Sequence, residues 1–320
     1  MTPPDKSPLS IDSAGMRSLL ASCLILAACA GAPAATPTTT TTAVPATTPT
    51  TTTTAVPATD ATAPTTSLQR ADLFDHLVES SSYWNDQAVE IHAPDDLGAW
   101  PVVVTIHGGG WFAGSLDTMS ALADDLADRG AVVFNATYRT VTKGGSFPAT
   151  VDDVACAIAY ARSRSPEFTT TPGAVTVVGH SAGAHLAALV TLAPNAFGTD
   201  CPWTGSRAPD AFVGLAGPYN IDRLAIILGP FFGTDPAVDP EPWRLGNPLT
   251  YVADSPGVPI LLVHGDVDQV APYPFSLELE EALIAAGKPV TMELLGAGDH
   301  NTVRDPRVVG EMIFEFLARQ

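Results

Sequence analysis

Cysteine is scarce in this 320-residue sequence, basic residues are few, and no apolar run reaches membrane-spanning length. Each shortage excludes something. The four cysteines lack the paired spacing from which zinc sites are built, and no other motif asks for a metal or an organic cofactor. Only 15 Lys and Arg stand against 34 Asp and Glu, a formal net charge of −19, which leaves no basic face for nucleic acid or for anionic lipid. Such a surface favours solubility and repels anionic ligands, so neutral or cationic ones are expected. The apolar stretch at residues 19–28 falls short of the about 20 residues a spanning helix requires.

That stretch follows Arg17 and suits the core of an export signal. It ends in Leu26-Ala27-Ala28-Cys29, which is similar to the bacterial lipobox, where cleavage precedes a cysteine that then carries lipid. Residues 1–28 are therefore expected to be a lipoprotein-type signal peptide, begun at Met1 or Met16, with Cys29 as the lipidated membrane anchor. The alternative is an ordinary cleavage within residues 28–35 that releases the protein. Either way the product is exported, as a bacterial cell-surface lipoprotein or a secreted protein.

Residues 29–67 are almost wholly Thr, Pro, Ala and Val, and the string TTTTTAVPAT occurs twice, from Thr38 and from Thr50. A segment without an apolar face cannot offset its ordering entropy, so an extended, disordered linker is expected, similar in composition to O-glycosylated stalks. The folded domain is placed at residues 68–320. It keeps two cysteines, Cys156 and Cys201, which in an oxidising compartment form either a disulfide or two separate buried thiols.

From residue 68 short β-branched runs alternate with helical periodicity. Residues 101–106 (PVVVTI), 131–136 (AVVFNA), 175–178 (VTVV), 211–215 (AFVGL), 260–263 (ILLV) and 290–295 (VTMELL) read as strands, most of them apolar on both faces. Helices are expected over 120–129, 151–164, 183–192, 275–286 and 306–318. Val151, Val154, Ala155 and Ile158 form one apolar stripe, and Phe275, Leu279, Ala282, Leu283 and Ala286 another. The alternation predicts an α/β fold: a doubly wound, mostly parallel sheet sandwiched by helices.

The chemistry centres on Gly179-His180-Ser181-Ala182-Gly183, which follows a strand and opens a helix, the setting of a nucleophile elbow. Upstream, His107-Gly108-Gly109-Gly110-Trp111 follows the strand PVVVTI and offers unobstructed backbone N–H groups to an oxyanion. A serine hydroxyl needs a base. Of the seven histidines, His180 adjoins the serine and is expected to point elsewhere, His185 lies within the next helix, His107 belongs to the glycine loop, and His264 ends a strand in a structural role. His300, in a glycine-rich loop before the last helix, is the expected base. Asp268 is the favoured carboxylate, with Asp266 its rival, and Asp299 reads as a loop residue. An insertion between AFVGL and ILLV carries Phe231, Phe232, Trp243 and Pro248, which either form a lid and part of an acyl pocket or pack against the sheet.

Taken in order, HGGGW, Asn135-Ala136-Thr137-Tyr138-Arg139, Phe147-Pro148-Ala149 with Asp152-Asp153, GHSAGAHLA and HGDVDQVAP resemble the α/β-hydrolase superfamily. Within it the likeness is to the esterase/lipase group of hormone-sensitive lipase, the small carboxylesterases and the feruloyl or acetylxylan esterases. His180 and Ala184 stand where the hormone-sensitive-lipase branch usually has Asp and Gly. The resemblance implies Ser181 as nucleophile, a triad completed by Asp268 and His300, and an oxyanion hole from the N–H groups of Gly109, Gly110 and Ala182, with Trp111 facing the substrate. It implies hydrolysis of a small-molecule carboxylic ester with short acyl chains, without a cofactor. The alternatives are a prolyl-oligopeptidase-like peptidase or formamidase with the same triad, and an inactive surface-binding module. Oligomeric state leaves no mark on the sequence.

Overall fold

The computed structural model describes residues 74–320, so the export signal, Cys29 and the linker lie outside the described residues. Strands and helices follow one another as β1 (His76–Trp84), β2 (Gln87–Pro94), β3 (Val102–Ile106), α1 (Asp117–Asp128), β4 (Val132–Ala136), α2 (Ala149–Arg164), β5 (Val175–His180), α3 (Ala182–Leu192), β6 (Ala211–Leu215), α4 (Ala225–Phe232), α5 (Glu241–Leu245), β7 (Ile260–Gly265), α6 (Pro274–Ala285), β8 (Val290–Leu295) and α7 (Pro306–Leu317). The strands form one sheet in the order β1-β2-β4-β3-β5-β6-β7-β8. From β4 to β8 all pairings are parallel, whereas β1–β2 and β2–β4 are antiparallel.

Every residue of β3 to β7 is buried, because helices cover both faces. Alternate residues enter opposite cores. Val102, Val104 and Ile106 join Ile158 of α2, Leu189 of α3 and Leu279 of α6. Val103 and Val133 join Leu122 and Leu126 of α1 and Ile313 of α7 on the other face. Each fully buried aliphatic side chain of this kind contributes about 1.5–3 kcal/mol relative to exposure. Helix α7 delivers Val309, Ile313 and Leu317 at four-residue spacing, so one side of it is committed to the core.

One feature was not anticipated from the sequence, and two alternatives that it left open are decided. The hairpin β1–β2 fills the stretch before the first expected strand; its Ser- and Glu-bearing β1 is half-exposed and shows no apolar face to read. A local signal was present, since Asn85 and Asp86 both adopt positive φ in the two-residue connection between Trp84 and Gln87. The insertion before β7 contains α4 and α5, and Phe231, Phe232, Trp243 and Pro248 are buried in the core there. Packing, not a lid, is what these aromatics do. Finally, Cys156 on α2 and Cys201 in the loop beyond α3 are joined as a disulfide, with Cα atoms 5.4 Å apart.

Candidate active site

The site collects at the C-terminal ends of the parallel strands, where chain leaves β3, β5, β7 and β8. Leaving β5, the backbone turns sharply into α3 and holds Ser181 at φ 54° and ψ −121°. This is a costly conformation for a residue with a side chain, about 1–3 kcal/mol, maintained by its surroundings. Ser181 N–H donates to Leu215 O at 2.8 Å, and its carbonyl accepts from Ala184 and His185. The flanking glycines are demanded by contact. A Cβ on Gly179 would lie 2.4 Å from Gly183 O, and one on Gly183 would lie 2.3 Å from Ile106 O.

Ser181, His300 and Asp268 meet in one hydrogen-bonded chain. Ser181 Oγ is 2.9 Å from His300 Nε2, and His300 Nδ1 is 2.7 Å from Asp268 Oδ2. Asp268 is 3% exposed, and its other oxygen accepts from the backbone N–H of Val270 and Ala271 at 2.8 and 3.0 Å. Asp266, the rival carboxylate, is exposed. Asp299 is also exposed and accepts from the Asn301 and Thr302 N–H groups within its own loop, as a turn residue does.

Three further histidines, His180, His264 and His185, form the supporting shell. His180 does not point elsewhere: it lines the pocket, its ring packs 4.9 Å from that of His300, and its Nε2–H donates to His300 O at 2.9 Å. Burial pushes its imidazole down to about 3, so it is neutral and serves as a fixed brace. His264 Nε2–H donates to Ala271 O at 2.6 Å while Nδ1 accepts from Ser276, which ties down the loop bearing Asp268. His185, pushed by burial to about 4, donates to Gly246 O and accepts from the Trp111 indole N–H.

Glycines at 109 and 110 have φ of 129° and 61°, and Trp111 follows at 66°. A Cβ on Gly109 would strike Ala113 O at 2.0 Å, whereas one on Gly110 would meet open space. One residue without obvious chemistry holds this loop, and its neighbour ties the following segment to α2. Tyr138 donates from its hydroxyl to His107 O at 3.1 Å and stacks on the His107 ring at 4.3 Å. Arg139 binds buried Asp153 through Nε at 2.8 Å and Nη2 at 2.7 Å. Neither partnership could be read from one sequence, because the loops beyond β3 and β4 and helix α2 supply the members separately.

A cavity of about 460 Å³ opens over Ser181 and His300 and is bounded by Gly109, Gly110 and Trp111. Its apolar wall includes Leu224, Ile227, Val270 and Phe275, none of which the sequence marked as a pocket residue. Trp111 borders the cavity, but its indole is only 4% exposed and packs towards Phe231 in the core.

Eight strands in this order, with an elbow serine at the end of β5 and its histidine and aspartate beyond β8 and β7, define an α/β-hydrolase. More narrowly, the chain belongs to the BD-FAE family, whose model matches residues 89–283. Among curated proteins it is 29% identical to the isoprenylcysteine alpha-carbonyl methylesterase ICME of Arabidopsis thaliana, over 73% of this chain and 59% of that protein. It is 28% identical to the esterase LipQ of Mycobacterium tuberculosis, over 68% of this chain and 55% of that one. The chain thus spans between half and three fifths of the length of these relatives. Among solved structures, a truncated carbohydrate esterase from gut microbiota superposes with a TM-score of 0.66 at 23% identity, covering 78% of this chain and 96% of that one. Est2 of Thermogutta terrifontis gives 0.64 at 21% identity, over 78% and 95%. At these identities the two structures speak for the fold.

Proposed function

We propose that this chain is a carboxylic ester hydrolase that acts through Ser181, His300 and Asp268 by way of an acyl-enzyme. The observation that carries the proposal is the continuous contact from Ser181 Oγ through the imidazole to Asp268, at 2.9 and 2.7 Å, at the floor of an apolar pocket. The esterase names of its relatives support the same reaction class.

In this reaction Ser181 Oγ attacks the ester carbonyl while His300 Nε2 takes the hydroxyl proton. Asp268 accepts Nδ1–H and stabilises the imidazolium, its own position held by the Val270 and Ala271 N–H groups. The N–H groups of Gly109, Gly110 and Ala182 receive the oxyanion, and the dipole of α3 favours the same charge. His300 returns the proton to the leaving alcohol. Water then repeats the sequence on the acyl-enzyme and frees Ser181. The preference for short acyl chains is carried by the family resemblance of the sequence, with Trp111 at the border of the pocket. Export, with Cys29 as lipid anchor and residues 29–67 as the tether, remains part of the proposal on sequence grounds.

The test is turnover of p-nitrophenyl acetate, butyrate and octanoate by wild type and by Ser181→Ala. Faster turnover of the shorter esters is expected, with kcat lower by about 10⁴-fold or more in the variant. Equal rates in the two proteins would remove Ser181 from the mechanism.

A further inference from the structure

A second cluster of histidine and carboxylate side chains lies outside the pocket, where the β1–β2 hairpin meets α1. His76 of β1 and His92 of β2 share one face of the hairpin, because Val78 pairs with His92 and His76 with Pro94. Their rings are 6.0 Å apart. Asp124 of α1 projects between them, with Oδ1 at 3.2 Å from His76 Nε2 and 2.8 Å from His92 Nδ1. One turn along, Asp128 Oδ1 is 2.7 Å from the other nitrogen of His76. Glu90 Oε2 stands 3.7 Å from the other nitrogen of His92, which has no hydrogen-bond partner although His92 is 2% exposed.

Every ring nitrogen of the two histidines therefore faces a carboxylate. A neutral imidazole carries a single N–H, so hydrogen bonds alone leave one nitrogen of each ring lone pair to carboxylate. A bound cation removes the conflict. The three inner atoms, His76 Nε2, His92 Nδ1 and Asp124 Oδ1, lie within 4.8 Å of one another. A tetrahedral ion with bonds of about 2.0–2.1 Å spaces its ligands by about 3.3 Å, so side-chain adjustments are enough to close the set. The outer nitrogens then donate their N–H groups towards Asp128 and Glu90, the carboxylate–histidine–metal arrangement that orients metal-bound imidazoles.

We propose that His76, His92 and Asp124 bind one Zn²⁺, oriented by Asp128, and that the ion clamps the hairpin to α1. Two imidazoles and a carboxylate suit zinc better than calcium or magnesium, which prefer all-oxygen shells. None of the three ligands lines the active-site pocket, so the clamp is independent of the ester chemistry.

The test uses the full chain, stripped with EDTA, dialysed free of chelator and titrated with ZnCl₂ by calorimetry, with thermal melting and far-UV circular dichroism alongside. Expected are one saturable site per chain and a rise of the thermal midpoint with zinc. Co²⁺ in place of zinc should give the visible bands of tetrahedral coordination. His76→Gln and Asp124→Asn should abolish saturable binding, and Asp128→Asn, at a half-exposed position where folding is not at stake, should weaken it by about 10–100-fold. No saturable binding by a folded wild-type chain would overturn the proposal, and so would unchanged affinity in Asp128→Asn together with His76→Gln.

Discussion

Imidazole meets carboxylate at two places in this molecule, and what faces the second ring nitrogen separates them. At the rim of the parallel strands His300 places one nitrogen on buried Asp268 and the other on the Ser181 hydroxyl. At the hairpin edge His76 has Asp124 on one nitrogen and Asp128 on the other. A hydroxyl opposite a carboxylate makes a path along which a proton can be taken and returned. Carboxylates on both sides offer no substrate group to activate and favour a cation instead. Burial reinforces the difference: the Asp268 side chain is fully buried and held by two backbone N–H groups, whereas the Asp124 side chain is 48% exposed.

The sharpest way to break this comparison is to neutralise each carboxylate in turn. Asp268→Asn should lower kcat for p-nitrophenyl butyrate by about 10⁴-fold, because the imidazole loses its orientation and the stabilisation of its cation. Asp124→Asn should instead lower thermal stability, by about 1 kcal/mol in the absence of zinc. Esterase rates and melting curves on both variants decide the matter, and an exchange of the two phenotypes would abolish the distinction.

A smaller effect tests whether the scaffold acts apart from either place. The Cys156–Cys201 bond closes a 45-residue separation that encloses Ser181 and α3. Replacing both cysteines with serine should cost about 2–4 kcal/mol in urea unfolding, with the wild type in reductant losing a similar amount. An unchanged midpoint would show that the bond constrains little.

The gentlest test is acid. An unfolded histidine titrates near 6.5, whereas burial lowers His185 to about 4 and His180 to about 3 in the folded protein. Between these values the unfolded chain binds more protons, so stability should fall as pH drops below about 6.5, by up to about 1.4 kcal/mol per pH unit for each residue. Urea midpoints from pH 7.5 to 4.5 should show the slope, and His185→Gln should make it shallower. A slope identical to wild type in that variant would remove His185 from the acid response.

Much of the rim was legible because its chemistry is written in contiguous strings. Gly179 and Gly183 are fixed by atoms that a Cβ would strike, and HGGGW and GDVDQ each sit at the end of a strand of continuous apolar residues. The role of His180 is not legible in the sequence, because it reaches His300 only through the turn geometry at Ser181. The hairpin is not legible because a half-exposed edge strand carries no strong hydrophobic period. Phe231, Phe232 and Trp243 were visible as aromatics, but whether they face a ligand or the core depends on the path of α4 and α5.

By itself the sequence determined the alternation of strands and helices, the elbow, the glycine loop and the identity of the residues that meet at the rim. These depend on local periodicity and on backbone conformations that only particular residues allow. Tertiary structure alone decided that Tyr138 braces the loop and Arg139 binds Asp153 of α2, that Leu224, Ile227 and Phe275 wall the pocket, and that His76 and His92 converge with Asp124. Those partners come from elements far apart in the chain, and only the folded sheet and its helices bring them within reach of one another.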